Sequence, residues 1–293
     1  MSVPSVSRRS ALAAGLTGAA ALAARPARAD HHEGEEGKAD AKSGRLNQSV
    51  CAWCFKGMSL EELSVLAVDL GLVGIDLMGP GEQFETLKKH GLVCTMTKSH
   101  KLTDGLCEPK FHDECLTALE ASIKATAAEG WKNVITFSGN ARGIDPNVGL
   151  DNCAKALEQI VPLAEKHGVV IQMELLNSKV NHPDYMCDTS AWGVKLVDKV
   201  ASDNFKLLYD IYHMQIMEGD IIRTIKDHKE AFGHYHTAGN PGRNELDGAQ
   251  ELQYRPIAEA IADTGYEGYF AHEFIPKNDP VKGLTDAVKL CTV

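Results

Sequence analysis

Cys153–Leu175 reads CAKALEQIVPLAEKHGVVIQMEL, and two periodicities meet inside it. Cys153, Leu157, Ile160 and Ala164 recur at the spacing that lines one face of a helix, Gly168 breaks that pattern, and Val169–Leu175 is a short apolar run of strand character. A helix that passes through a glycine straight into an apolar strand is part of a repeating strand–helix chain. Working outward, the same alternation fills everything from residue 46 to the end. The predicted strands are Ser49–Phe55, Gly74–Met78, Leu92–Thr97, Asn133–Ser138, Val169–Leu175, Phe205–Ile211, Phe232–Thr237 and Gly268–Phe274. Between them, Ser59 and Glu62 make a capping box ahead of Leu60, Leu63, Leu66, Ala67 and Leu70, and Gly71 closes that helix. Leu116, Leu119, Ile123 and Ala127 share a face before Gly130, and Pro256 opens a helix that Gly265 ends. Eight such units in about 250 residues fit an α/β fold of the (β/α)8 TIM barrel type as one domain over residues 46–293. A doubly wound open sheet is the alternative, and no glycine-rich phosphate loop follows the first strand to support it.

The 293 residues are 44% hydrophobic and 24% charged, which excludes a disordered or collagen-like chain. The formal net charge of −10 becomes −14 without Arg8, Arg9, Arg25 and Arg28, and no basic run offers a nucleic-acid surface. Those arginines belong to residues 1–29, where Ser7-Arg8-Arg9, an Ala/Leu/Gly stretch (Ala11 to Ala24) and Ala27-Arg28-Ala29 read as an export signal of the twin-arginine type with a small-x-small cleavage site. The apolar run is too short to anchor the chain in a membrane. This predicts a periplasmic or secreted protein with the twin-arginine export machinery as a partner. A homo-oligomer is left open by the sequence. Residues 30–45 begin DHHEGEEGKADAK and read as a flexible linker, with His31 and His32 solvated. Eight scattered cysteines in a chain of this size do not suggest a disulfide framework. Cys51-Ala-Trp-Cys54 has redox CxxC spacing, but it lies in a predicted strand, which sends the two thiols to opposite faces.

In a barrel, function belongs to the loops after the carboxyl ends of the strands. Glu174 lies near the end of the fifth predicted strand, Asp210 and His213 at the end of the sixth, His234 and His236 on the seventh, and Glu273 at the end of the eighth. One such acid is ordinarily a helix cap or a surface charge. Four in consecutive strands, each in an apolar run where an unpaired charge is costly, point instead to a shared cation. Three carboxylates and an imidazole suit one divalent ion, Mn²⁺, Mg²⁺ or Co²⁺ in preference to Zn²⁺ because the oxygens are hard ligands. His236 is nearer the mouth and is the predicted ligand; His234 is expected one layer deeper, hydrogen-bonded, and His272 is expected to face outward.

The segments YDIYHMQIMEGD (Tyr209–Asp220), HYHTAGNPGRNE (His234–Glu245) and MELLNS (Met173–Ser178), with a glutamate ending the last strand, resemble the hydroxypyruvate isomerase group of the xylose-isomerase-like barrels, a superfamily that includes ketose 3-epimerases. The resemblance covers residue 46 to the end. It implies Glu174, Asp210, His236 and Glu273 as metal ligands, Glu174 and Glu273 as the catalytic carboxylates, and His213 and Arg243 as substrate contacts. At the third ligand position hydroxypyruvate isomerases usually carry glutamine, whereas His236 is the choice of the ketose epimerases.

The chemistry also follows from the residue types. A metal chelating a carbonyl oxygen and the adjacent hydroxyl acidifies the C–H between them and stabilises an enediolate; one carboxylate removes the proton and a second returns it. Arg243 offers a planar fork for a carboxylate or vicinal diol. His100 after the third strand and Asn177 and His182 after the fifth are further substrate-binding candidates, each equally suited to a structural role. The expected function is a metal-dependent isomerase (aldose–ketose type) or epimerase on a small hydroxy-carbonyl compound or sugar. A metal-dependent lyase or hydrolase on a modified keto sugar, and a non-catalytic periplasmic sugar-binding protein, are the alternatives.

Overall fold

Apolar runs of four to six residues, too short to be buried by themselves, pair edge to edge into a closed parallel barrel in strict chain order. The strands are β1 Asn47–Cys51, β2 Gly74–Met78, β3 Val93–Thr97, β4 Asn133–Thr136, β5 Val170–Glu174, β6 Phe205–Asp210, β7 Phe232–Thr237 and β8 Tyr269–His272. β8 returns to β1 through the register Gln48 with Phe270 and Val50 with His272. The computed structural model describes residues 44–293, so the expected leader and all but the last two residues of the expected linker lie outside the described residues.

Helices α1 Leu60–Asp69, α2 Glu82–Lys89, α3 His112–Ala128, α4 Pro146–His167, α5 Ser190–Val200, α6 Ile211–Met217, α7 Ile221–Asp227, α8 Tyr254–Ala262 and α9 Pro280–Cys291 fill the connections. Their ends follow local chemistry. The α1 capping box forms as read, Glu62 N–H donating to Ser59 Oγ at 3.2 Å and Ser59 N–H to the Glu62 carboxylate at 2.8 Å. α4 starts with Pro146 after the Asp145 cap and stops at Gly168, which takes the left-handed conformation (φ 65°). No helix among the described residues is long and apolar enough to cross a membrane.

Three readings shift. The first strand ends at Cys51, and Ala52–Cys54 form a 3-10 turn, so the two thiols are separated by an element boundary and not by strand alternation. The α3 face turned inward is Cys115, Leu119, Ser122, Ile123 and Thr126, leaving Leu116 and Ala127 half-buried. The helix expected from Pro256 begins at Tyr254, which places the proline within the first turn, where its missing N–H costs no bond. His272 does point outward from the barrel. It is buried against α9, donating from Nε2 to Gln48 Oε1 at 2.9 Å, while Gln48 reaches Val288 O at 3.3 Å.

Inside the barrel, Met96, Ile135 and Leu208 form a small apolar cluster. Leu208 is two residues before Asp210 and shares its face, so this cluster floors the polar layer above it.

Candidate active site

Register sets the site. Asp210 pairs with His236 across β6 and β7, Glu174 pairs with Leu208 across β5 and β6, and Glu273, one residue past β8, is tied in by its N–H to Thr237 O at 2.9 Å. The four side chains that the sequence singled out therefore meet: one donor atom from each of Glu174, Asp210, His236 and Glu273 lies within 4.8 Å of the others, and all four residues are buried. His236 Nδ1 is 2.8 Å from Glu273 Oε2 and 3.5 Å from Glu174 Oε1.

Asp210 has two duties. Its Oδ1 caps α6 by accepting the His213 N–H at 3.1 Å, and its Oδ2 lies 3.4 Å from the Arg243 guanidinium. The ordinary helix-cap role and membership of the cluster thus coexist in one carboxylate.

Arg243 arrives from the loop after β7. Gly242 and Arg243 take left-handed backbone angles in succession (φ 99° and 59°), a costly arrangement for a side-chain-bearing residue that drives the guanidinium inward. Gly239 closes the loop against Asn244, and a Cβ there would lie 2.3 Å from Glu245 O. The guanidinium pairs with the Glu273 carboxylate, comes within 3.0 Å of His213 Nε2, and sits between the rings of Trp53 and Tyr212 at 5.2 and 5.5 Å. Its side chain keeps 12% exposure, so it forms part of the floor reached from solvent.

His213 is buried and is held by Asn177, whose backbone N–H points to Nδ1 at 3.2 Å. Burial and the Arg243 charge keep its pKa well below the usual imidazole value. The His182 ring lies 5.2 Å from that of His213, centre to centre, tilted by 60°. The Asn177 side-chain oxygen accepts from Val180 N and Asn181 N within its own loop, while its Nδ2 reaches both Asn181 Oδ1 at 2.8 Å and His213 Nδ1 at 2.5 Å. His100 is anchored on β4, Nε2 to Thr136 Oγ1 at 2.8 Å, and makes no hydrogen bond to the four-residue cluster. His234 lies a layer deeper, as expected, yet neither ring nitrogen makes a hydrogen bond; Nε2 is 3.3 Å from Asp76 Oδ1 without the alignment of one. The expected hydrogen-bonded state is therefore corrected to a close polar contact.

The structure adds residues that the sequence reading passed over. Trp53 donates from Nε1 to Glu273 Oε1 at 2.8 Å. Asp76 in β2 is fully buried and lies 2.7 Å from His236 Nε2, and Cys51, Asp76 and His236 make a second compact group. Asp76 interrupts the apolar run GIDLM as the chosen acids interrupt theirs, a signal of an unusual residue but not of its partner, whereas Trp53 fell inside the strand expected over Ser49–Phe55 and carried no such signal.

The cluster is rich in negative charge. Burial pushes the Asp210 carboxyl up to about 7, with Glu273 and Glu174 adding to the rise and Arg243 opposing it. Burial also raises Glu174. Glu273 goes the other way: against its own burial, Arg243, His236 and Trp53 hold it well below the usual carboxylate range. Three clustered carboxylates with a nitrogen donor and a single guanidinium suit a divalent cation, which would supply the missing positive charge.

A closed eight-stranded barrel with an acid–imidazole cluster at its carboxyl mouth is the architecture of a barrel enzyme, and the cluster is compatible with a divalent metal. Residues 84–291 match the family described as xylose isomerase-like TIM barrel, and the chain belongs to that family. It is 26% identical to the hydroxypyruvate isomerase of Escherichia coli over 230 residues, 74% of this chain and 88% of that protein. It is 32% identical to the 2-oxo-tetronate isomerase of Cupriavidus necator over 121 residues, 41% of this chain and 46% of that protein. The chain spans about half the length of most curated relatives it matches. Among solved structures, the 3-keto-D-glucoside 4-epimerase of Escherichia coli superposes with a TM-score of 0.71 over 85% of this chain and 100% of that one, at 20% identity, a likeness of fold.

Proposed function

We propose that this chain is a divalent-metal-dependent isomerase or epimerase that moves a proton within a small hydroxy-carbonyl compound or sugar. The observation that carries this reading is the convergence of Glu174, Asp210, His236 and Glu273, one donor atom from each within 4.8 Å of the others, with two glutamates beside one imidazole nitrogen. Arg243, His236 and Trp53 hold Glu273 well below the usual carboxylate range, whereas burial raises the pKa of Glu174. A pair of carboxyls pushed apart in this way divides into a base and an acid. A cation held by Glu174, Asp210, His236 and Glu273 would polarise a carbonyl and its neighbouring hydroxyl and so acidify the C–H between them.

The protein's own groups do the rest. Glu273 takes the C–H proton. Glu174 delivers one, either to the adjacent carbon, which exchanges aldose and ketose, or to the opposite face of the same carbon, which inverts it. Arg243 and His213 lie beside the carboxylates and hold substrate oxygens, and the Trp53 and Tyr212 rings keep the guanidinium in place. The names of the similar proteins support this class of reaction, and His236 at the third position directs the choice of substrates toward ketoses as well as hydroxypyruvate.

The test is to incubate Mn²⁺-loaded protein in D₂O with hydroxypyruvate and with ketohexoses and follow the products by NMR and mass spectrometry. The expected result is an isomer of unchanged mass apart from deuterium gained at the carbon that receives the proton. Loss of a substituent would turn the reading to a lyase. Absence of turnover on every substrate, with metal bound, would remove the enzymatic reading.

A further inference from the structure

We propose that Asp76 is a positioning residue that holds the ring proton of His236 on Nε2 and so leaves Nδ1 open toward the acidic cluster. The inference rests on the metal-centre reading above and concerns a residue of β2 outside the four-residue cluster. His236 sits between two sets of carboxylates. On one edge, Nδ1 is 2.8 Å from Glu273 Oε2 and 3.5 Å from Glu174 Oε1. On the other, Nε2 is 2.7 Å from Asp76 Oδ2. A neutral imidazole has one N–H and one lone pair, so these edges compete for a single proton. If the proton stays with Glu273, Nδ1 is closed to a cation. If it stays with Asp76, Nδ1 presents its lone pair to the space shared with Glu174, Asp210 and Glu273.

The surroundings of Asp76 favour the second arrangement. Its carboxylate is fully buried with three neighbours around it: Thr95 Oγ1–H donates to Oδ1 at 2.5 Å, Cys51 S–H donates to Oδ2 at 3.6 Å, and His236 Nε2 lies 2.7 Å from Oδ2. An acceptor fixed from three directions and sunk in the barrel core cannot turn away. Glu273, in contrast, is shared among Trp53, Arg243 and His236, so its claim on the ring proton is diluted. A histidine whose second nitrogen is fixed by a carboxylate is the general means of orienting a ligand ring and raising its basicity. Here the carboxylate comes from β2, which contributes none of the four cluster residues.

Titration with Mn²⁺ alone, without substrate, followed by the EPR signal of free Mn²⁺, measures the effect directly. Asp76→Ala should weaken binding roughly 10- to 100-fold, and Asp76→Asn, which is isosteric and keeps an oxygen acceptor, should weaken it less. Because loss of a nearby negative charge alone would also weaken binding, a second readout is needed. In Mg²⁺-loaded protein, the His236 Nε2–H should give a downfield imidazole proton resonance, assigned by its disappearance in His236→Gln. That resonance should move upfield in Asp76→Asn and exchange rapidly in Asp76→Ala. An unmoved resonance in Asp76→Asn overturns the proposal even if Asp76→Ala fails to fold, and so does unchanged Mn²⁺ affinity in Asp76→Ala. A Cys51-dependent thiolate band in Co²⁺-loaded wild type also overturns it, since Nε2 would then be a ligand of a deeper ion. Failure of the wild type to bind Mn²⁺ would instead overturn the metal centre itself.

Discussion

Glu273 and Glu174 are the same residue type a few ångströms apart, and their neighbours give them different work. Removing only the ionisable oxygen separates base from ligand. Glu273→Gln keeps an oxygen donor but cannot accept a proton, so turnover should fall by a factor on the order of a hundred or more while much of the Mn²⁺ is retained. Asp210→Asn should lose metal and rate together, because in the proposed centre that carboxylate is a ligand as well as the cap of α6, and added Mn²⁺ should restore part of the rate. Equal loss of metal in both variants would remove the distinction. The same residue sets a pH dependence. With its carboxyl pushed up to about 7, Asp210 must give up a proton before a cation can take its place, so Mn²⁺ affinity should weaken as pH falls through about 7. A flat affinity between pH 8 and 6 would contradict this.

At the scale of the element, helix ends do two kinds of work. The α1 capping box stabilises an outer helix distant in sequence from the four-residue cluster. Ser59→Ala removes the acceptor for the Glu62 N–H and should cost about 1 kcal/mol, a loss of roughly 2–4 °C in Tm for a domain of this size. Metal affinity should be unchanged. The cap of α6 is different, because Asp210 supplies it from inside the site. The rigidity of that strand-to-helix corner is therefore coupled to the cluster, and Asp210→Asn, unlike Ser59→Ala, should alter binding. Calorimetry and metal titration on the two variants make the comparison.

For the whole molecule, barrel closure buries what the sequence scatters. All eight cysteines are free and buried, and burial pushes Cys107 up to about 11 and Cys94 and Cys115 to about 12. Thiolate is the reactive form, so Ellman's reagent at pH 8 should label the native protein slowly and the denatured, unreduced chain at all eight positions. Fewer than eight in denaturant would reveal a disulfide. Rapid labelling of the native protein would mean that the barrel opens at the cysteine-bearing elements.

The strand–helix alternation, the capping box at Ser59, the glycine stops and the ends of strands five to eight were legible because they depend on residues close together in the chain, where spacing alone decides which side chains share a face. Glu174, Asp210, His236 and Glu273 were legible for a related reason: consecutive parallel strands in a barrel end at one mouth, so position along each strand predicts meeting in space. Asp76, Trp53 and the inward turn of Arg243 were decided only by tertiary structure. Asp76 reaches His236 from β2 across the closed interior, Trp53 meets Glu273 where the first strand closes on the last, and the angles of Gly242 and Arg243 aim a guanidinium that the sequence leaves free to point anywhere. Contacts of that kind depend on curvature and closure, which no local pattern of residues encodes.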